Sequence, residues 1–313
     1  MKTSFDRYQT PPESMTADVA QLIDTLTLDK IATDTFQAPS FDYVGPRVFG
    51  GQVLAQALMA AAQTLEIDKP CHSLHGYFLR GGDIQLPVVY QVRRLRDGRS
   101  LSAREITAVQ YVPTHADDKS AKTKPQVIFS MIASFSPMEG GLDYQPAMPQ
   151  YPAADSLKTE QQLKADYLHK IPESLQARFM RPRHVEIRPV HPQDPISPAP
   201  TTPRQANWLR ISDIGEQPVA IHQALLAFVS DYYLVGTALM SHGLSLMSRG
   251  LQLASIDHSM HFHRPFDIRE FLLYEMWSDT TSHAKGLNHG QFWQAGKLVA
   301  TTQQEGLMRL HAD

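Results

Sequence analysis

Two segments of the chain are apolar on nearly every face of a helix, and each is followed by a series of strand-like runs. The first is VLAQALMAAAQTL, residues 53–65, entered through Gly50 and Gly51; the second is QALLAFVSDYYLV, residues 223–235. A helix with no polar face must be enclosed on most sides. After the first helix, β-branched and aromatic residues gather at 75–79, 87–95, 100–111 and 126–135, with Asp97-Gly98 as a turn between the second and third runs. After the second they gather at 251–262, 271–278, 286–294 and 297–308. Several strands after one buried helix predict an antiparallel sheet curled around it, and here the arrangement occurs twice.

The repetition extends to residues. Phe78-x-Arg80-x-x-Asp83 recurs as Phe262-x-Arg264-x-x-Asp267, and at the same offset Val88-Val89-Tyr90 meets Leu272-Leu273-Tyr274. Matching residues in matching element order point to an internal duplication. Between the copies, residues 137–203 hold twelve of the 22 prolines. This marks a connector, with a helix within 156–179 and irregular chain over 192–203. Ahead of both copies, apolar spacing over 16–31 predicts a short amphipathic helix. The expected division is an N-terminal module over 16–137, a Pro-rich connector over 138–206 and a C-terminal module over 207–313.

Composition narrows the function. Lys and Arg total 29 against 32 Asp and Glu, so no basic surplus points to nucleic acid or a charged membrane surface. Residues 1–14 are polar, without the apolar stretch of an export signal, and no uninterrupted apolar run reaches the roughly 18 residues of a spanning helix. Cys71 is the single cysteine, which excludes an intrachain disulfide and a cysteine-based zinc cluster. The expectation is a cytoplasmic protein without nucleic-acid or membrane partners. No G-x-S-x-G elbow, P-loop or dinucleotide fingerprint is present. His258-x-x-His261-x-His263 places two histidines on one strand face, but no third metal ligand can be named.

Three polar residues in the second copy carry chemical interest. Asp231 lies within AFVSDYYLV, where a buried, unpaired carboxylate would cost several kcal/mol; it is either functional or set on a polar strip beside Ser230 and a tyrosine. Gln304 shares a strand face with Leu298, Ala300, Thr302, Gly306 and Met308, so it is either an inward amide needing a partner or a sheet-edge glutamine. Ser255, in LQLASIDHSMHFH, lacks the alternation that would fix its direction.

Several stretches resemble the bacterial type II (TesB-type) acyl-CoA thioesterases. They are Val48-Phe-Gly-Gly-Gln-Val53, His72-Ser-x-His-x-Tyr-Phe-Leu-Arg80, Leu95-Arg-Asp-Gly98, Ile256-Asp-His-Ser-Met260, Phe262-His-Arg-Pro-Phe266 and Gln304-Glu-Gly306. They span both halves, in the family's order, whereas the connector and the insertion over 112–125 match poorly. The resemblance implies an α+β double hot-dog fold, two tandem modules each with a long helix wrapped by an antiparallel sheet. It implies hydrolysis of acyl-CoA to free fatty acid and coenzyme A, no metal or organic cofactor, and a homo-oligomer, dimer or tetramer. In the family a helix aspartate, a strand threonine and a late-strand glutamine orient a hydrolytic water. These positions fall on Asp231, Ser255 and Gln304, serine keeping threonine's hydroxyl. Enoyl-CoA hydration and non-catalytic acyl-CoA binding are the alternatives. The trio is expected in the second module only, with Ala60, Cys71 and Ala133 at the corresponding places in the first.

Overall fold

The computed structural model describes residues 19–43, 45, 47–66, 69–114 and 123–311. The polar start and the centre of the 112–125 insertion lie outside them. By its internal contacts the chain divides into two units, one of residues 20–140 with 217–228, the other of 141–216 with 229 onward.

The first unit follows α1 (Val19–Thr25) with β1 (Asp29–Ala32), β2 (Thr35–Ala38), α2 (Gly50–Ala62), β3 (Cys71–Phe78), β4 (Val88–Asp97), β5 (Ser102–Pro113) and β6 (Thr123–Phe135). Its strands are antiparallel in the order β1-β2-β4-β5-β6-β3. The helix expected over 16–31 is shorter. Thr25 Oγ1 donates to the Leu22 carbonyl, and three-residue bonds from Leu26 to Ile23 and from Thr27 to Asp24 end it. Ile31 then falls in the β1–β2 hairpin, which turns at Asp34 with φ +49°.

As its composition requires, α2 is buried on almost every side. Its two glutamines are tied to backbone and ring. Gln52 donates to the Pro39 carbonyl at 3.0 Å and accepts from the Phe41 amide at 3.2 Å. Gln56 donates to the Thr25 carbonyl at 2.9 Å and accepts from the Tyr90 hydroxyl at 2.7 Å. Gly51 is required by proximity, since a Cβ there would lie 2.2 Å from the carbonyl oxygen of Phe228. Any side chain would force the backbones apart.

The second unit holds α3 (Glu160–Tyr167), α4 (Glu173–Phe179), β7 (Glu186–Pro189) and β8 (Arg204–Arg210). Then come α5 (Val219–Ser230), whose first ten residues count with the first unit, and 3-10 turns over Val235–His242. β9 (Leu251–Ser255), β10 (Asp257–Phe262), β11 (Leu272–Ser282), β12 (Lys285–Gln294) and β13 (Lys297–Leu310) complete it. The antiparallel order is β10-β13-β12-β11-β8-β7, with β9 on the far part of β13.

The proline-rich stretch is therefore more than a spacer. The expected boundary after residue 206 falls inside β8, and Val190 and Ala206 share a core cluster with Leu273, Trp293 and Leu298. The short strands β7 and β8 escape the sequence because neither shows period-two alternation over enough residues. Residues 192–203 are irregular, as expected. Val219–His242 is apolar and long enough to cross a bilayer by length and composition. In the fold it breaks after Ser230, and residues 221–232 are all buried.

Candidate active site

The second unit's buried polar residues converge where α5 ends and β9 gives way to β10. Asp231 is not inside a helix, as its apolar neighbours predicted, but the first residue past α5. Tyr232 closes a three-residue bond to Val229, and Tyr233 turns the chain with φ +67°. The Tyr274 hydroxyl donates to the Ser230 carbonyl at 2.8 Å, satisfying one of the helix's last acceptors. A carboxylate at a helix C-terminus gains nothing from the helix dipole. Stabilising its charge falls to neighbouring donors.

One such donor is Gln304. Its Nε2 lies 2.7 Å from Asp231 Oδ1, 3.0 Å from Ser255 Oγ and 3.1 Å from His258 Nδ1. Ser255 Oγ is 3.5 Å from the same Asp231 oxygen. The structure thus brings together all three residues singled out in the sequence. Asp231 is 9% exposed, Gln304 and His258 are fully buried, and Ser255 is partly exposed. Gln304 is an inward residue of β13, not an edge glutamine, and its Oε1 finds no hydrogen-bond partner among the described residues.

Ser255 and His258 reach one amide because the strand is broken between them. Residues three apart in a regular strand point to opposite faces. Here Ser255 pairs with Gly306 and Ser259 with Gln303, so the register slips by one residue across Ile256 and Asp257. Ile256 donates to the Glu305 carbonyl, and Asp257 Oδ1 accepts from the Glu305 amide at 2.6 Å, fixing the bulge. Such a bulge re-aims side chains locally. It also explains why no alternation could be read around Ser255.

His258 is the residue that sequence reasoning undervalued. Its Nε2 faces Ser230 Oγ and Thr302 Oγ1, each at 2.9 Å. Thr302 spends its one proton on the Ser259 carbonyl at 2.7 Å, so its oxygen accepts from His258 Nε2–H. That leaves Nδ1 to accept from Gln304. With Nδ1 as acceptor the ring fixes the glutamine's orientation, which points its Nε2 at Asp231. His261 and His263 stack on each other away from this network, and no group of three His, Cys, Asp or Glu side chains among the described residues could hold a metal ion.

Small residues bring the cover close. A Cβ on Gly306 would lie 2.2 Å from Val235 Cγ2, and one on Gly290 would lie 2.4 Å from the Tyr274 ring. Tyr274 in turn stacks on Phe292 with centroids 3.9 Å apart. These contacts place the Asp231 turn against β13 and the tyrosine hydroxyl under Ser230.

Comparison with known proteins fixes first the class and then the family. A crystal structure from Alicyclobacillus acidocaldarius described as having a hot dog fold aligns over 93% of this chain and 99% of its own, with TM-score 0.67 and 19% identity. The fold is a double hot-dog. A family profile described as acyl-CoA thioesterase matches residues 174–307, and one described as acyl-CoA thioesterase N-terminal domain matches 37–136. Acyl-CoA thioesterase 2 of Haemophilus influenzae is 38% identical over 291 residues, 92% of this chain and 96% of the relative. The crystal structure of an acyl-CoA thioesterase II, TesB2, from Mycobacterium marinum covers 93% of this chain and 98% of its own, with 33% identity and TM-score 0.70. The chain belongs to the acyl-CoA thioesterase family.

Proposed function

We propose that this chain hydrolyses acyl-CoA to a free fatty acid and coenzyme A by direct attack of water, with Asp231 as general base and Ser255 and Gln304 orienting the water. The observation that carries this reading is the Gln304 amide, which donates to Asp231 at 2.7 Å and meets Ser255 Oγ at 3.0 Å while its own oxygen stays buried without a donor among the described residues. Asp231 and Gln304 Oε1 are thus acceptors for the two protons of one water, and Ser255 can donate to its oxygen or to Asp231. In the reaction Asp231 takes a proton as the water oxygen bonds to the thioester carbon. The tetrahedral oxyanion then collapses, the C–S bond breaks, and the proton passes from Asp231 to the departing sulfur. His258 does not serve as base, because Nδ1 accepts from Gln304 and Nε2 carries its proton toward Thr302.

Neither Ser255 nor Cys71 has the surroundings of a nucleophile. Asp231 lies 3.5 Å from Ser255 Oγ, no histidine is bonded to that hydroxyl among the described residues, and burial pushes the Cys71 thiol far above its usual range. The family resemblance also supports a homo-oligomer, dimer or tetramer, and the single cysteine fits a reducing compartment such as the cytoplasm; light scattering and cell fractionation are the direct tests. Incubation with a saturated acyl-CoA should release free thiol, an outcome closed to a hydratase or a binding protein. Rapid-quench intact mass spectrometry should show no acyl adduct. A transient adduct on Ser255 or Cys71 formed and lost at the turnover rate would replace direct attack by a covalent route.

A further inference from the structure

The Asp231 turn is held by a buried ion cluster drawn from the proline-rich stretch. Tyr233, two residues past Asp231, has φ +67°, a conformation that a tyrosine keeps only when its surroundings enforce it. Its hydroxyl donates to Glu160 Oε1. Arg183 Nε sits 2.9 and 3.2 Å from the two Glu160 oxygens, and Lys164 Nζ lies 3.5 Å from one of them. The Arg183 guanidinium also covers the Tyr232 ring at 4.4 Å and the Tyr233 ring at 5.8 Å. The Tyr233 carbonyl accepts from Thr237 Oγ1 at 3.2 Å. Both residues that follow Asp231 are therefore gripped through their rings.

Side-chain exposure is 14% for Glu160, 22% for Arg183 and 16% for Lys164. Burying three charges is an inefficient route to stability, since desolvation cancels much of their attraction. Their placement has a better explanation in position. Glu160 is the first residue of α3, whose start is fixed by a reciprocal cap between Thr159 and Gln162. The carboxylate is thereby anchored before it meets Tyr233.

We infer that Glu160 and Arg183 are positioning residues, which act through Tyr232 and Tyr233 to hold Asp231 against Gln304. This rests on Asp231 being the base. A misplacement of about 1 Å is enough to cost up to ~100-fold in rate. Glu160→Gln should lower kcat roughly tenfold with KM within about twofold, and Tyr233→Phe should lower kcat in the same direction by less. The deciding measurement is a double-mutant cycle with Asp231→Asn. If the cluster acts through the base, Glu160→Gln should change the residual rate of Asp231→Asn by less than about twofold. Equal losses in both backgrounds would overturn the inference while leaving Asp231 as base. Near-normal turnover in Asp231→Asn alone would instead remove the base assignment and the inference with it. Should Glu160→Gln fail to fold, Tyr233→Phe replaces it in the cycle, and an unchanged kcat there would overturn the inference as well.

Discussion

The strand pairs β3–β6 and β10–β13 share one backbone pattern and differ in what they present. Leu74 stands opposite Ala133 in the first unit, and at the matching register the second has His258 and Gln304. Both pairs slip by one residue at the same place, between Cys71 and Ser73 in one unit and between Ser255 and Ser259 in the other. Cys71 pairs with Phe135 as Ser255 pairs with Gly306. The first unit closes this place with apolar groups. Leu74, Ala133 and Phe135 are buried, and the Gln223 amide holds both backbone groups of Cys71, accepting from its N–H at 2.9 Å and donating to its carbonyl at 2.7 Å. The next strand in carries Arg104 opposite Ala133, bonded to Thr64 and Asp97, where the second unit has Asn288 opposite Gln304. The side-chain amide oxygens of Asn288 and Gln304, Oδ1 and Oε1, both lack partners among the described residues. The bulge is therefore a property of the fold, and chemistry comes from the side chains placed on it. The first unit's Arg104 is fully bonded, whereas the second unit leaves two buried side-chain acceptors, one of which the proposed mechanism gives to the water.

Substitutions in the second unit should break the comparison in graded steps. Asp231→Asn keeps shape and some hydrogen bonding but removes the proton acceptor, so kcat should fall about 100-fold or more in a folded protein. Thiol release with circular dichroism as the folding control checks this. Gln304→Ala, which copies the first unit's Ala133, should cost roughly 10- to 100-fold, because the carboxylate loses a donor and the proposed water loses an acceptor. Ser255→Ala should cost about tenfold, while Ser255→Thr, which keeps the hydroxyl and stiffens its rotamer, should stay within about threefold.

A smaller effect concerns acid stability in the second unit alone. Burial of Glu160 would raise its pKa, but Arg183, Lys164 and the Tyr233 hydroxyl outweigh it and hold the carboxyl below its usual range. A depressed folded pKa stabilises the protein above the unfolded value of about 4.3, and that contribution disappears as pH falls through the folded value. Denaturant melts should show Glu160→Gln losing stability less steeply below about pH 4.5 than the unaltered chain. The smallest effect belongs to the first unit. Cys71→Ala should leave kcat within about twofold, and iodoacetamide at neutral pH should leave activity intact, since the buried thiol stays protonated.

Much of this is legible in the sequence. The two enclosed helices and the longer strands are readable because their apolar content is extreme and their period clear, and Gln304 because β13 alternates from Ala300 to Gly306. Asp231 was readable as a site but not as a helix end, since a left-handed tyrosine leaves no mark in composition. Ser255 came from resemblance alone, because the bulge at Ile256 erases the alternation. His258 shared that obstacle, its inward face hidden among exposed histidines. The fold of the proline-rich stretch was concealed by short strands, and Glu160 drew no attention because its partner Arg183 lies 23 residues away and Tyr233 lies 73. Long-range pairing of charges has no local pattern.

The asymmetry between the units is the central claim, and the count of substrate sites tests it most directly. Isothermal titration of the full chain with a tight, non-hydrolysable acyl-CoA analogue should give one site per chain, and Gln304→Ala should weaken that site. Two equivalent sites per chain, or one site that is indifferent to Gln304 and lost in Ala133 variants, would contradict the account.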